Sequence, residues 1–508
     1  MASRTKSFLI QNLAGGINKY IDEFEIKDNE SPDMQNMEFF GLGALKKRGG
    51  YSKLGDAVGT VHPTGLACYK TASVNEILVT TGTALKKYNT GDGGWDAVSG
   101  VTYTTTKDTT YAQAESKLFI ANGADALSYY DGSTLTKIAG KTPSFVIYWN
   151  KRIYCNDSTN PDTLYYTGTG ANIDSFGTGD GGGSLTFLPG SGAMLKGATV
   201  FGNYLYISIG DAWYRASINT SGDHVIELVV KAKGAVSHRT IKQMGNDIVY
   251  LSTDGVFSLG EVANYSSVRL TDLGSRINPI LETATGSEKT HAAAAYYDYK
   301  YILSYRSNGA TYNNELLVYD TRYKTWLYWS GIRANSFLDY EDGDGDTHLY
   351  FADDSVLRVY ELDDSTSDDG AAIDSYFYTK MFDFGDFSLE KLIMDISILF
   401  GNVYGSLDIS LIFEDETVSK SLSIGQAADS GGIGRYKIGL KMIGDSSSGS
   451  AHTSAANTWK YFDVGEETTM AQLKFSNNAA GEDFQIKKIL LTYIPFKHYK
   501  RDDERFIS

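Results

Sequence analysis

The feature that most constrains the fold of this chain is a repeat. From about residue 60 the sequence falls into units of roughly 40 to 50 residues, each with an apolar strand, a glycine or polar turn and a second strand. The clearest units are NEILVTTGTALKKYNTGDGGWDAVSG (75–100) and SKLFIANGADALSYYDGSTLTKIAG (116–140). One four-stranded sheet in this length is the period of a β-propeller blade. The sequence therefore predicts an all-β protein with a propeller of about seven blades over residues 41–370.

A propeller also explains how such small sheets become stable. One sheet cannot bury both of its faces, whereas radial stacking gives each face a neighbour and ring closure removes the exposed ends. Closure requires one blade built from both ends of the propeller segment, and GALKKRGGY (43–51) is the candidate closing strand. The alternative repeat fold, a β-solenoid, is expected to show shorter repeats.

The pattern changes after residue 370. Longer alternating strands follow, as in SYFYTKMFDFGDFSLEKLIMDISILF (375–400), and they predict a small β-sandwich over residues 371–496. At the other end, SPDMQNM (31–37) is rich in residues that favour turns and extended chain, so residues 1–40 are predicted to be an extended N-terminal arm. Residues 497–508 are predicted to be a charged tail.

The charge of the chain is unevenly distributed. The formal net charge of the 508 residues is -16, and thirteen acidic residues against Arg358 alone lie between Asp339 and Asp374. General nucleic-acid binding is disfavoured by this balance. One interpretation is a set of solvated loops, and the other is a wall or partner surface that repels DNA phosphates.

Composition also bears on location. No run of about 18 apolar residues predicts a membrane span, and the first residues lack the apolar segment of a signal peptide, so synthesis and assembly in a cytoplasm are expected. Cys68 and Cys155 are too few and too far apart for a disulfide framework or a zinc site. They are predicted to be buried free thiols.

The sharpest chemical candidate is the run Asp342, Asp344 and Asp346, because calcium binds several carboxylate oxygens from a short segment. However, Thr347 replaces the glycine and Asp353 the glutamate that an EF-hand requires. A solvated hairpin is therefore preferred over a weak calcium site. The histidines are scattered and no nucleophile motif occurs. The sequence predicts no catalytic residue and no cofactor, although a propeller lyase or glycosidase would need only a cluster of carboxylates in the central cleft.

Trp326 and Trp329 raise the question of sugar binding, since exposed tryptophans stack on sugar rings. Residues three apart on a strand face opposite sides, so the pair cannot form one platform. We therefore predict that both tryptophans pack between blades.

Three blocks at the start of the chain resemble the opening of a family of tailed-bacteriophage virion proteins. They are GGIN (15–18), SPDMQNM (31–37) and GALKKRGGY (43–51), in this order. YTKMFDFG (378–385), followed by LEKL (389–392), resembles the segment that opens the domain after the propeller in the same family. The resemblance covers both ends of the chain, and the middle only through its period.

This resemblance implies a structural role rather than an enzymatic one. It implies a tail hub or nozzle of a short-tailed phage, made in the cytoplasm of the bacterial host and located in the virion tail. Such proteins form rings, usually of six copies, around the DNA exit path. Expected partners are further copies of the chain, the portal and adaptor, and tail fibres or distal tail parts, with DNA as transient cargo. The alternative is a glycan-binding propeller for host adsorption at the tail tip.

The resemblance also marks residues for contact with other proteins. The basic triplet within them is open to a second interpretation, a solvated strand edge that discourages edge pairing. The marked residues are Gly15, Gly16, Asn18, Pro32, Asn36, Lys46, Lys47 and Arg48.

Overall fold

The computed structural model of the protein describes residues 5–188, 192–261, 268–404, 406–413, 417–418 and 458–495. The chain divides into two compact units. Residues 50–365 form one unit, and residues 1–49 together with 366–508 form the other. The predicted charged tail, 497–508, lies outside the described residues.

The first unit is a seven-bladed β-propeller, because its strands pair into seven antiparallel sheets of four. In blades one to six the strands pair in sequence order. The strands of blades one to four are Pro63–Lys70, Asn75–Thr81, Ala84–Tyr88 and Trp95–Ala97; Thr110–Ala114, Lys117–Ala121, Ser128–Tyr130 and Leu135–Lys137; Val146–Trp149, Arg152–Cys155, Thr163–Tyr166 and Gly183–Thr186; and Leu195–Phe201, Tyr204–Ile209, Ala212–Ile218 and His224–Val230. Those of blades five to seven are Lys242–Met244, Asp247–Ser252, Gly255–Glu261 and Val268–Asp272; Ala293–Tyr297, Lys300–Tyr305, Glu315–Asp320 and Thr325–Ser330; and Ala334–Glu341, Thr347–Asp353, Val359–Ser365 and Gly50–Lys53.

The core of the propeller lies between successive blades. Leu78 of blade one packs with Leu118 and Tyr130 of blade two in one such cluster. The second strand of each blade is buried on both faces, which explains runs such as ILVTT in place of strict alternation. Short helices connect some strands: the α-helices Asn278–Leu281 and Gly286–Lys289, and the 3-10 helices Gly170–Asn172, Thr178–Asp180 and His238–Thr240.

The ring is closed by a strand from the beginning of the propeller segment. Gly50–Lys53 pairs antiparallel with Val359–Ser365, and the Tyr51 ring contacts that of Tyr360 at 4.7 Å. Leu66 of blade one also packs with Val359 of blade seven. The seven blades and their closure by an N-terminal strand confirm the prediction, with one correction. Ala44–Lys47, the first half of the predicted closing strand, belongs to the other unit.

The second unit is a β-sandwich of two sheets. In the first sheet the neighbouring strands are Met37–Phe40, Ala44–Lys47, Asp483–Pro495, Lys391–Tyr404 and Thr458–Thr468, with Lys6–Ile10 also paired to Asp483–Pro495. In the second sheet they are Met34–Gln35, Ser375–Tyr378, Ala471–Asn477, Asp408–Phe413 and Thr417–Val418. Phe484, Ile486, Ile489 and Leu491 of the strand Asp483–Pro495 are fully buried and supply part of the core of the sandwich.

The N-terminal residues do not form the separate arm that the sequence predicts. Lys6–Ile10 pairs with Asp483–Pro495, and Met34–Gln35 pairs with Ser375–Tyr378. The predicted boundary at residue 40 fails because these short strands find partners more than 300 residues away, which local sequence does not reveal. The propeller is consequently inserted into the sandwich rather than placed before it.

The structure also bears on the predictions made for the two tryptophans, the two cysteines and a membrane span. Trp326 and Trp329 are 1% and 4% exposed, and the indole N–H of Trp326 donates to the carbonyl oxygen of Leu273 at 2.6 Å, so their packing in the core is confirmed. Cys155 is a buried free thiol as predicted, whereas Cys68 is free but only half-buried. No helix of the described residues is long and apolar enough to cross a membrane.

Candidate functional site

The segments that carry the sequence resemblance meet in the sandwich. Ile17 forms a parallel bridge with Ser31. The Ser31 hydroxyl donates to the carbonyl oxygens of Asp33 and Tyr378, each at 2.7 Å, and the Tyr378 amide donates to the Asp33 carbonyl oxygen at 3.0 Å. Residues from the first and last thirds of the chain thus form one hydrogen-bonded framework, which we call the motif framework.

The paired glycines have a steric reason. A Cβ atom on Gly15 would lie 2.2 Å from the carbonyl oxygen of Asn29, which is closer than real Cβ contacts. Gly16 has a φ of +73°, a conformation that glycine adopts without strain. Its carbonyl oxygen accepts a hydrogen bond from the Ser31 amide at 2.8 Å. The two glycines therefore allow the two backbone segments to approach each other closely.

The two asparagines of the motifs are buried hydrogen-bonding centres. The Asn18 amide donates to the Glu30 carboxylate at 2.9 Å. Asn36, at a φ of +53°, donates to the carbonyl oxygen of Asp374 at 2.7 Å and accepts from the Arg48 Nε–H at 2.9 Å. Pro32 lies half-buried beside them.

Arg48 is the most deeply buried cation of the motif framework. Its two terminal nitrogens donate to the two carboxylate oxygens of Asp368 at 2.9 and 2.7 Å, and its side chain is 0% exposed. This fork geometry gives the strongest kind of ion pair. The interpretation of this position as a solvated strand edge is wrong, because the arginine neutralises a carboxylate inside the sandwich.

Lys46 and Lys47 are also engaged within the chain. Lys46 pairs with Glu38 at 3.2 Å. The buried Lys47 ammonium donates to the Asn477 side-chain oxygen at 2.8 Å and to the Ala479 carbonyl oxygen at 3.0 Å, and burial lowers its pKa. A contact of these residues with another protein stays a prediction.

A carboxylate next to these lysines gives a pH prediction. Burial raises the pKa of Asp483 to about 6, although Lys46 and Lys47 act in the opposite direction. A raised folded-state pKa means that the folded form holds the proton more tightly, so its contribution to stability falls as the pH rises from about 4 to about 6. We expect Asp483→Asn to raise the free energy of unfolding by at most about 3 kcal/mol at pH 8 and to change it little at pH 4. Urea titrations at the two pH values measure this, and an equal effect at both would contradict it.

The acidic stretch 339–374 is not a single surface. Its residues up to 365 belong to blade seven and the remainder to the sandwich. Asp353 accepts hydrogen bonds from the Ser355 and Val356 amides, and Asp354 accepts one from the Asn313 amide at 2.8 Å. Together with Asp368, these buried carboxylates serve the fold, which leaves only the exposed members for a lumen or a partner.

The aspartate hairpin is held by its own backbone. The Asp342 carboxylate accepts hydrogen bonds from the amides of Asp344 and Asp346, each at 2.9 Å, and lies 3.4 Å from His348 Nε2. Within the described ranges, no group of three or more His, Cys, Asp or Glu side chains is placed to hold a metal ion. The three aspartates therefore do not form a calcium cage in this structure.

Exposed apolar side chains are concentrated on the sandwich. This unit holds less than a third of the described residues but ten of the eighteen exposed large hydrophobic side chains. Aromatic and other large apolar side chains exposed to solvent are candidates for contact with other proteins. The ten, which we call the sandwich apolar set, are Leu9, Tyr20, Ile21, Phe24, Phe40, Leu42, Phe387, Met394, Trp459 and Tyr461.

Sequence reasoning missed this set. Tyr20, at 71% exposed, and Phe24, at 46%, lie in a turn in which the Phe24 amide donates to the Asp22 carboxylate at 3.0 Å. Their signal in the sequence is a cluster of aromatic and acidic residues, YIDEFE, that fits neither helical nor strand periodicity. Leu42 is fully exposed at the tip of a hairpin, where turns are normally polar.

Comparisons with known proteins add little to this description. No protein-family model matches the sequence, and no curated protein matches it. Among solved structures, YCF48 from Cyanidioschyzon merolae is similar at 8% identity and a TM-score of 0.39, covering 60% of this chain and 98% of its own. The Swd1 β-propeller domain of Myceliophteria thermophila is similar at 9% identity and a TM-score of 0.42, and the match covers 61% of this chain and 99% of that domain. The WD40 β-propeller domain of Doa1 is similar at 8% identity and a TM-score of 0.41, and the match covers 62% of this chain and 96% of Doa1's.

Proposed function

We propose that this protein is a structural component of a tailed-phage virion that assembles, as a ring of copies, around the DNA exit channel of the tail below the portal and adaptor. Its work is mechanical: the sandwich makes the contacts between subunits, and the propeller is a second compact unit of the same chain. The observation that carries the proposal is that the sandwich apolar set lies on the unit that contains the motif framework.

The chemistry of the set supports protein contacts. Tyrosine, tryptophan and phenylalanine supply the largest energies at protein interfaces, and the set contains three Phe, two Tyr and one Trp. The Asn18–Glu30 hydrogen bond and the Ile17–Ser31 bridge close the base of the loop that carries the Tyr20–Phe24 turn. A loop closed at its base needs less ordering when it binds a partner.

We expect Tyr20→Ser with Phe24→Ser to weaken assembly. Each exposed aromatic at an interface centre contributes on the order of 1–2 kcal/mol, so the concentration for half-assembly should rise about tenfold or more. Mass photometry and electron microscopy without imposed symmetry measure the oligomer and its concentration dependence. The matched control is Tyr299→Ser with Leu228→Ser, two exposed side chains of the propeller, which should leave the ring unchanged.

Other outcomes would change the proposal. A wild-type protein that stays monomeric at all concentrations, and in the presence of portal and adaptor, would overturn the ring. Monomers or peripheral trimers with measurable affinity for a polysaccharide would favour the adsorption role. Loss of assembly in the control pair alone would move the interface to the propeller.

A further inference from the structure

A cavity lies on the axis of the propeller. It has a volume of about 340 Å³ and is lined by the first strands of blades one, two, five, six and seven. Tyr111 of blade two and Lys242 of blade five both line it, although they belong to opposite sides of the ring. The proposed role in assembly makes no use of this cavity.

One end of the cavity wall carries a neutralised arginine. The Arg239 guanidinium donates to the Asp108 carboxylate at 2.9 Å, to the Asn335 side-chain oxygen at 2.6 Å and to the carbonyl oxygen of His291 at 2.5 Å. His291 Nδ1 lies 3.1 Å from the same Asp108 oxygen. This network fixes Arg239 in place and balances its charge with Asp108.

Lys242 is different, because no carboxylate balances it. It is half-buried at the cavity wall, no Asp or Glu lines the cavity, and within the described ranges no ion pair includes Lys242. Burial, followed by the charge of Arg239, lowers the pKa of Lys242 to about 8. At neutral pH the cavity therefore holds a mostly protonated ammonium without a counter-ion, which is unfavourable unless an anion binds there.

The other titratable groups that line the cavity do not supply that charge. Burial lowers the pKa of His238 to about 3, and its Nδ1 accepts from the Ala198 amide at 3.3 Å, so the ring is neutral with its proton on Nε2. Burial raises the pKa of the Cys68 thiol and of the Tyr111 hydroxyl. All three side chains are therefore neutral near pH 7.

The remaining wall suits a small organic body. Leu66, Ala293, Phe337 and Leu338 give it apolar surface. Gln113 adds a polar side chain to the lining. Binding pockets combine such an apolar lining with a few polar groups that set orientation.

We propose that this central cavity is a binding site for a small monocarboxylate, whose carboxylate group binds the Lys242 ammonium and whose body contacts the apolar wall. A single unbalanced cation matches a single negative charge. Phosphate, with its two charges, is expected to bind more weakly, because the Arg239 donors are already occupied by Asp108 and Asn335.

The test uses benzoate as the probe on the full-length protein, with the neutral isostere benzamide and inorganic phosphate as comparisons. Isothermal titration calorimetry should detect benzoate and show at least tenfold weaker binding of benzamide. Lys242→Met should lower the benzoate affinity about ten- to a hundredfold, the size expected for a charge-assisted hydrogen bond. Lys107→Met removes an exposed lysine instead and should leave the affinity unchanged.

A second readout does not depend on the variant. After reductive ¹³C-methylation of the lysines, a dimethyl-lysine signal that titrates near pH 8 should move upward in pH when benzoate is added, while the signals of other buried lysines such as Lys47 should not move. Failure of benzoate to bind at millimolar concentration, equal binding by wild type and Lys242→Met, or tighter binding of phosphate would each overturn the proposal. None of these results bears on ring assembly, which is measured separately.

Discussion

Replacing Arg48 with methionine is expected to destabilise the sandwich by about 3–5 kcal/mol, the cost of breaking a buried ion pair from one side. The reason is that Asp368, 8% exposed, would keep its charge without either guanidinium hydrogen bond, and Asn36 would lose its buried donor as well. Hydrogen exchange of the Asp483–Pro495 amides, compared with the propeller amides, should show the loss confined to the sandwich.

Two further variants make this result interpretable. Arg48→Met combined with Asp368→Leu removes both charges and should recover a large part of the stability, since the apolar pair leaves no buried carboxylate behind. Lys19→Met breaks an exposed ion pair of the same unit, that of Lys19 with Asp33, and should cost no more than about 1 kcal/mol. If Arg48→Met and Lys19→Met had equal effects, the burial of the Arg48 pair would not be what stabilises this region.

The second large effect is expected at the closing strand. A fragment of residues 50–365 should fold and unfold cooperatively, because it contains all seven blades and closes its own ring. A fragment of residues 54–365 lacks Gly50–Lys53 and should lose on the order of 3–5 kcal/mol or fail to fold. It loses the pairing with Val359–Ser365 and the packing of the Tyr51 ring on Phe351 and Tyr360, at 5.3 and 4.7 Å.

Circular dichroism during urea unfolding measures both fragments. Tyr51→Phe in the longer fragment keeps the ring and removes only the hydroxyl, so its midpoint should match that of the unchanged fragment. Equal urea midpoints for 50–365 and 54–365 would show that the propeller is equally stable when blade seven has only three strands, and that the closing strand is not required.

The propeller was predictable because its signals are local. Units such as residues 75–100 contain their own strands and turns, and the 40-to-50-residue period alone limits the possible folds. The burial of Trp326 and Trp329 also followed from a local rule, the alternation of faces along a strand.

The sandwich was harder to predict because its contacts are non-local. Nothing near Lys6–Ile10 reveals that its partner strand is Asp483–Pro495, so the segment reads as an arm. In the same way, the charge of Arg48 suggests exposure until Asp368 is placed beside it. The apolar residues Tyr20 and Phe24 belong to no periodic pattern, and their exposure follows only from the turn that holds them.

Because the propeller is inserted between Gly49 and Thr366, the two parts of the sandwich are synthesised at different times during translation. The ribosome makes Lys6–Ile10 and Met34–Gln35, then 316 residues of propeller, and only afterwards Asp483–Pro495 and Ser375–Tyr378, with which they pair. At a bacterial synthesis rate of about 5–20 residues per second, the propeller alone leaves these two strands unpaired for roughly 15 to 60 s. A truncated chain never completes the sandwich, so the surface that we propose for assembly is finished only on chains whose propeller has already been synthesised in full.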